Sequence, residues 1–140
     1  MSQENPYAAP QTDVSFQGNV GFVKPTLKQL FFSPEGRIPR RVFWLAGLAF
    51  LIPLLLASAF FLINEMLGYI AVGLVYIGVI WSSIMLNIKR WHDRDKSGWW
   101  IFIAFIPVVG GIWALVECGF LRGTIGPNTY GADPTDQKML

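Results

Sequence analysis

Apolar residues gather in three long runs along this chain, and polar and charged residues are confined to the stretches between them. The runs lack the two-residue alternation of a half-buried strand and are too long for one, so each reads as a helix in apolar surroundings. The first, Val42 to Ile63, is 22 residues without a charge. At about 1.5 Å per residue it covers the roughly 30 Å hydrocarbon layer of a bilayer. Pro53 lies in its middle and removes one backbone donor, which predicts a kink there. The second run, Met66 to Ile88, adds 23 uncharged residues. Only Asn64 and Glu65 separate the two, so they must form a tight antiparallel hairpin. The third, Trp99 to Val116, has 18 residues and is interrupted by Pro107 and Gly110-Gly111. It is just long enough to span, and a re-entrant hairpin is the alternative, because Pro-Val-Val-Gly-Gly reverses direction readily.

Outside the runs the pattern changes. Residues 1–25, rich in Pro, Gly, Gln, Asn and Ser, read as a disordered cytoplasmic tail. They lack the early apolar stretch of a secretory signal. Leu27, Leu30 and Phe31 follow the i, i+3, i+4 spacing of a short amphipathic turn, expected at the membrane surface beside Arg37, Arg40 and Arg41. The expected architecture is therefore an all-α integral membrane protein. A membrane domain over 26–134 holds three transmembrane helices near 42–63, 66–88 and 99–118, the third short, broken and either spanning or re-entrant. Residues 135–140 form a C-terminal tail.

Composition agrees with this reading: 53% of residues are hydrophobic and 14% charged, and mean hydropathy is +0.43. A 140-residue chain has too little polar sequence to cover two such helices in water. The single Cys118 and single His92 exclude a disulfide framework and argue against a metal centre, so no cofactor is expected. The net charge of +2 matters less than where charge lies. Lys24, Lys28, Arg37, Arg40 and Arg41 precede the first run, Lys89, Arg90, Arg94 and Lys96 follow the second, and the first turn carries no basic residue. This asymmetry puts the N-terminus and the second loop in the cytoplasm. Arginines at a membrane surface without a recognition fold do not support nucleic-acid binding.

Candidate chemistry concentrates in the loop from Lys89 to Trp100. One reading is anchoring. Trp91, Trp99 and Trp100 would form an aromatic belt and Lys89 and Arg90 would snorkel to headgroups. Lys89 would pair with Asp93 four residues on, Asp95 with its basic neighbours, and Ser97 would cap the third helix. A second makes His92 a proton-transfer group oriented by Asp93 or Asp95, with Ser97 as nucleophile. No glycine-framed nucleophile turn accompanies Ser97, so no catalytic residue is assigned. A third brings Arg37, Arg40, Arg41, Arg90 and Arg94 together as a basic pocket for lipid phosphates. The candidate set for binding anionic lipid or a partner protein is thus Arg37, Arg40, Arg41, Trp44, Arg90, His92, Asp93, Ser97, Trp99 and Trp100. Glu117, near the end of an apolar run, is a candidate intramembrane polar site. It could line a path in an oligomeric transporter or channel. Cys118 reads as a small packing residue, and Gly78 and Ser82 as a site of close helix contact, with a homo-oligomer one consequence.

Several of these motifs stand in a familiar order. Gly36-Arg37, Arg40-Arg41 and Phe43-Trp44 resemble the entry to the first helix in the small bacterial inner-membrane family catalogued as domain of unknown function 805. Lys89 to Asp93, Lys96-Ser97-Gly98-Trp99-Trp100 and the tail from Gly123 to Pro134 resemble its further motifs in the same order, so the likeness covers roughly 31–134. Trp91 stands where the family usually has leucine, and Thr129 where it has arginine. The resemblance implies a multi-pass protein of the bacterial inner membrane with no established activity, and it leaves the role open.

Overall fold

A computed structural model describes residues 23–135; the expected tails at 1–22 and 136–140 lie outside the described residues. Helices account for the fold, and the described residues include no strand beyond an isolated bridge between Asn128 and Gly131. The chain opens with α1 (Leu27–Phe32), started by a capping box in which Thr26 and Gln29 satisfy each other's backbone N–H. Leu30 faces inward while Leu27 stays 75% exposed, so only part of the predicted apolar stripe packs on protein.

The first apolar run becomes α2 (Arg40–Ala49), α3 (Leu51–Ser58) and a 3-10 turn, Ala59–Leu62. Together they give a span from Arg40 to Leu62. The break falls at Phe50, one turn before Pro53. This is the expected place, because proline cannot donate to the carbonyl four residues back and its ring pushes that turn open. The second run is α4 (Glu65–Asp93), capped by Asn64, whose Oδ1 accepts from the N–H of Met66 at 2.8 Å and of Leu67 at 3.4 Å. Gly68 lets the hairpin close: a Cβ there would stand 2.4 Å from the Phe61 ring. Both elements are long and apolar enough to cross a membrane, and little of either is buried inside the molecule.

The third run does not continue as one helix. It runs outward as a 3-10 segment, Gly98–Phe105, reverses at Pro107-Val108, and returns as α5 (Val109–Leu115) and a π-turn, Val116–Phe120. The reversal is a γ-turn, with Val108 at φ +64 and its neighbour's N–H donating to the Pro107 carbonyl at 2.7 Å. A β-branched residue seldom adopts that conformation, so the turn stores strain. Gly110 lies where the two arms meet, and a Cβ there would fall 1.8 Å from the carbonyl oxygen of Ile103. The base of the hairpin is closed by Lys96 and Glu117, 2.9 Å apart. Residues at the start and end of the run therefore share one polar site. The segment thus folds back on itself as a hairpin whose two ends meet. Eight residues of 3-10 helix rise only about 16 Å, half of a hydrocarbon layer.

Candidate functional site

The polarity of the fold is inverted. The outer surface carries Leu, Ile, Phe and Val, while the largest fully buried side chains include Trp91, Arg90 and Lys89. They sit together because α4 does not stop at Ile88 but continues helical through Asp93. Four segments wrap that final turn: α1, residues 36–38, the π-turn, and the chain from Leu121 to Thr135. Positions pointing in every direction are thereby covered.

Lys89, Arg37, Arg90 and Asp93 each meet specific hydrogen-bond partners. Lys89 donates to the carbonyls of Gln29 and Leu30 near the end of α1, the latter at 2.9 Å, the Gln29 carbonyl also accepting from the N–H of Ser33. Asp93 lies between two guanidiniums, 3.0 Å from Arg37 Nη2 and paired also with Arg90. Arg90 further donates to the carbonyls of Ile38, Cys118 and Leu121, and Arg37 to those of Thr124, Gly126 and Gly131. The π-turn makes this possible. Its widened backbone frees four successive carbonyls, of Cys118, Gly119, Phe120 and Leu121, which accept from Arg90, Trp44, Arg40 and Arg90 in turn.

The far side of α4 is closed by a Schellman motif. Lys96 N–H donates to Trp91 O and Asp95 N–H to His92 O, with Asp95 in the left-handed conformation at φ +56. The tail completes the seal, because Thr124 N–H donates to Asp93 O at 2.8 Å and Asn128 to His92 O at 2.8 Å. Gly123 must be glycine here, since a Cβ would lie 2.0 Å from Asp93 Oδ2. Asp133 staples the tail by accepting from Gly126 and Thr135. Burial pushes its carboxyl up, but these hydrogen bonds outweigh that and hold it below the usual range. Glu117 behaves alike: burial opposes ionisation, and hydrogen bonds from Lys96 and Arg94 win, so its pKa is lowered. Burial pushes the neighbouring Cys118 thiol up to about 12, which suits a packing residue rather than a nucleophile.

Several expectations change accordingly. Lys89 does not pair with Asp93, because Arg37 and Arg90 already occupy that carboxylate. Nor does Asp95 pair with its neighbours. Arg94 and Lys96 both turn to Glu117, and Asp95 Oδ1 accepts from Thr129 N–H at 3.2 Å. Trp91 leaves the aromatic belt for the interior, fully buried with its indole N–H unpaired among the described residues. Trp99 and Trp100 remain exposed. Ser97 stands at the start of the 3-10 segment but makes no side-chain cap. His92 stacks on Tyr130 with ring centroids 3.9 Å apart, and its Nδ1 lies 3.3 Å from Gly36 O. Asp93 does not orient it and Ser97 does not bond it, so the His92, Asp93 and Ser97 constellation is not assembled. Glu117 is a clasp at the hairpin base rather than a lone intramembrane acid.

The joint five-arginine phosphate pocket is also divided. Arg37 and Arg90 are buried and filled with protein acceptors, and Arg94 is held by Glu117. Arg40 and Arg41 stay exposed, and Arg122 joins them. These three form no ion pair with a carboxylate among the described residues, and with Asp93, Pro134 and Thr135 they line a cavity of about 360 Å³. Trp44 borders a second groove beside it. The sequence reading missed Lys89 and Thr124 as parts of the cluster and Arg122 as part of the rim. The glycine-rich turns from Gly123 to Gly131 were the available signal that this tail folds back.

The family model described as a protein of unknown function (DUF805) matches residues 31–132. Curated relatives include the "Uncharacterized protein YiiR" of Escherichia coli, 30% identical over 138 residues, covering 81% of this chain and 93% of the relative. The "Inner membrane protein YhaI" of the same organism is 33% identical over 107 residues, covering 71% and 84%. "Inner membrane protein YhaH" is 28% identical over 109 residues, covering 71% and 85%. No solved structure gives a significant match.

Proposed function

The chain belongs to the DUF805 family of proteins of unknown function, and from that membership we propose a multi-pass protein of the bacterial inner membrane that binds anionic lipid headgroups through Arg40, Arg41 and Arg122. The inner-membrane address is supported by the names of two relatives and by the two apolar spans. The basic residues gather at one end of the spans and the Asn64-Glu65 turn at the other carries none, which favours a cytoplasmic N-terminus and charge cluster.

One observation carries the binding reading: among the described residues Asp93 is shared by Arg37 and Arg90, and Glu117 by Arg94 and Lys96, while the three rim arginines have no carboxylate partner. Guanidiniums at headgroup depth pair readily with phosphate. The sealed cluster then has a structural role, fastening the hairpin, the spans and the tail into one head beneath the leaflet. Extraction of the protein with its surrounding lipid in polymer-bounded nanodiscs, followed by lipid mass spectrometry, tests the reading. Anionic lipid should be enriched over the bulk membrane, and the enrichment should fall in the Arg40→Gln, Arg41→Gln, Arg122→Gln triple variant. Equal lipid composition in the two preparations, both correctly inserted, would sink it.

A further inference from the structure

The rim cavity does not stand alone. Arg40 and Arg41 also line a second groove, of about 590 Å³, walled by Trp44, Leu45, Gly119 and Phe120. Its walls are fixed. Trp44 donates its indole N–H to the Gly119 carbonyl at 3.1 Å and meets Phe120 edge-on at 5.9 Å. A Cβ on Gly119 would come within 3.0 Å of the Trp44 ring. Arg40 is held in place by its bond to the Phe120 carbonyl at 2.6 Å and lines both spaces, as does Arg41. The first space is lined by three guanidiniums, and the second by two of these and an aromatic and aliphatic wall formed by Trp44 and Leu45 of α2 and Phe120 of the π-turn.

From this arrangement we infer that the two neighbouring cavities hold one resident anionic glycerophospholipid, its phosphate among Arg40, Arg41 and Arg122 and one acyl chain along Trp44, Leu45 and Phe120. The inference rests on the proposed headgroup binding and narrows it from attraction at a basic surface to a single stoichiometric site. Charge complementarity selects the headgroup. Among the described residues the carboxylate lining the cavity is that of Asp93, already shared by Arg37 and Arg90, so three cations face the ligand. A headgroup bearing an ammonium would set like charge against them, whereas glycerol or a second phosphate would not. The groove selects a lipid over a soluble phosphate, because a free anion leaves the apolar wall uncovered.

Native mass spectrometry of the full chain tests this, after exchange into micelles containing dioleoylphosphatidylglycerol or dioleoylphosphatidylcholine. The expected result is one retained phosphatidylglycerol per protein, no retained phosphatidylcholine, and no displacement by excess inorganic phosphate. Arg122→Gln should cut retention roughly tenfold, about the loss of one charge-assisted contact. Leu45→Trp, which fills the groove from an exposed position and leaves every charge in place, should abolish it. Wild-type retention in Leu45→Trp, displacement by phosphate, or equal retention of phosphatidylcholine would each overturn the inference. Absence of a resident lipid alongside persistent anionic enrichment in nanodiscs would overturn the single site while the broader headgroup reading stands. Loss of that enrichment would remove both.

Discussion

Replacing Asp93 with Asn takes one negative charge from a place where two guanidiniums have no other. The side chains of Arg37 and Arg90 are 1% and 0% exposed and that of Asp93 is 4% exposed, so water cannot substitute for the lost carboxylate. Asparagine keeps one acceptor oxygen but turns an amide N–H₂ toward a guanidinium. Removing one partner from a buried ion pair costs about 3–5 kcal/mol, because the desolvated charges left behind are uncompensated. Glu117→Gln supplies the internal standard. It also breaks two ion pairs, but Arg94 and Lys96 are 26% and 27% exposed, so water can solvate the two cations left behind and the cost is smaller than at Asp93. Denaturant unfolding in a fixed detergent, followed by tryptophan fluorescence, should therefore rank wild type above Glu117→Gln and both well above Asp93→Asn. If Asp93→Asn unfolds at the wild-type midpoint, or is hurt less than Glu117→Gln, the claim that the buried cluster holds the head together is wrong.

Other outcomes follow from the same contacts. Gly123→Ala drives a Cβ into Asp93 and should speed hydrogen exchange across residues 124–135 with little change in α4. Cysteines placed at Asp95 and Ile125 should react with a membrane-impermeant maleimide from the same side of the bilayer, since the hairpin returns to its starting face. Labelling from opposite sides would mean that the third run spans. Cys118 itself should stay unlabelled at neutral pH, its thiol buried and its pKa about 12. The depressed carboxyls of Asp133 and Glu117 stabilise the fold above their unfolded values of about 4, and that contribution is lost as pH falls through the lower folded values. Protection of the tail amides, taken relative to their intrinsic exchange rate at each pH, should thus be flat between about pH 7 and 5 and fall only in stronger acid.

Much of the architecture was legible from composition and period alone. Two uncharged runs of spanning length admit few structures other than helices in lipid, because backbone polar groups there must be satisfied within each segment. The tight turn at Asn64, the disturbance before Pro53 and the crowding of basic residues at one end are local or additive properties, and they survive folding unchanged. Even the break in the third run was written in Pro107 and Gly110-Gly111.

What tertiary structure decided was the fate of each charge. From sequence, Lys89, Arg90, Trp91 and Asp93 look like an anchor at the membrane surface, because charged residues are rarely buried and spacing suggests only local pairs. Their actual partners include groups 28 to 60 positions away: Gln29, Arg37, Cys118, Leu121 and Thr124. Neither period nor propensity carries information about contacts at that separation. The same long-range packing consumed Arg37 and Arg90 and left Arg40, Arg41 and Arg122 facing outward, so the chain's arginines divide into structural and available ones only once the tail has closed over α4.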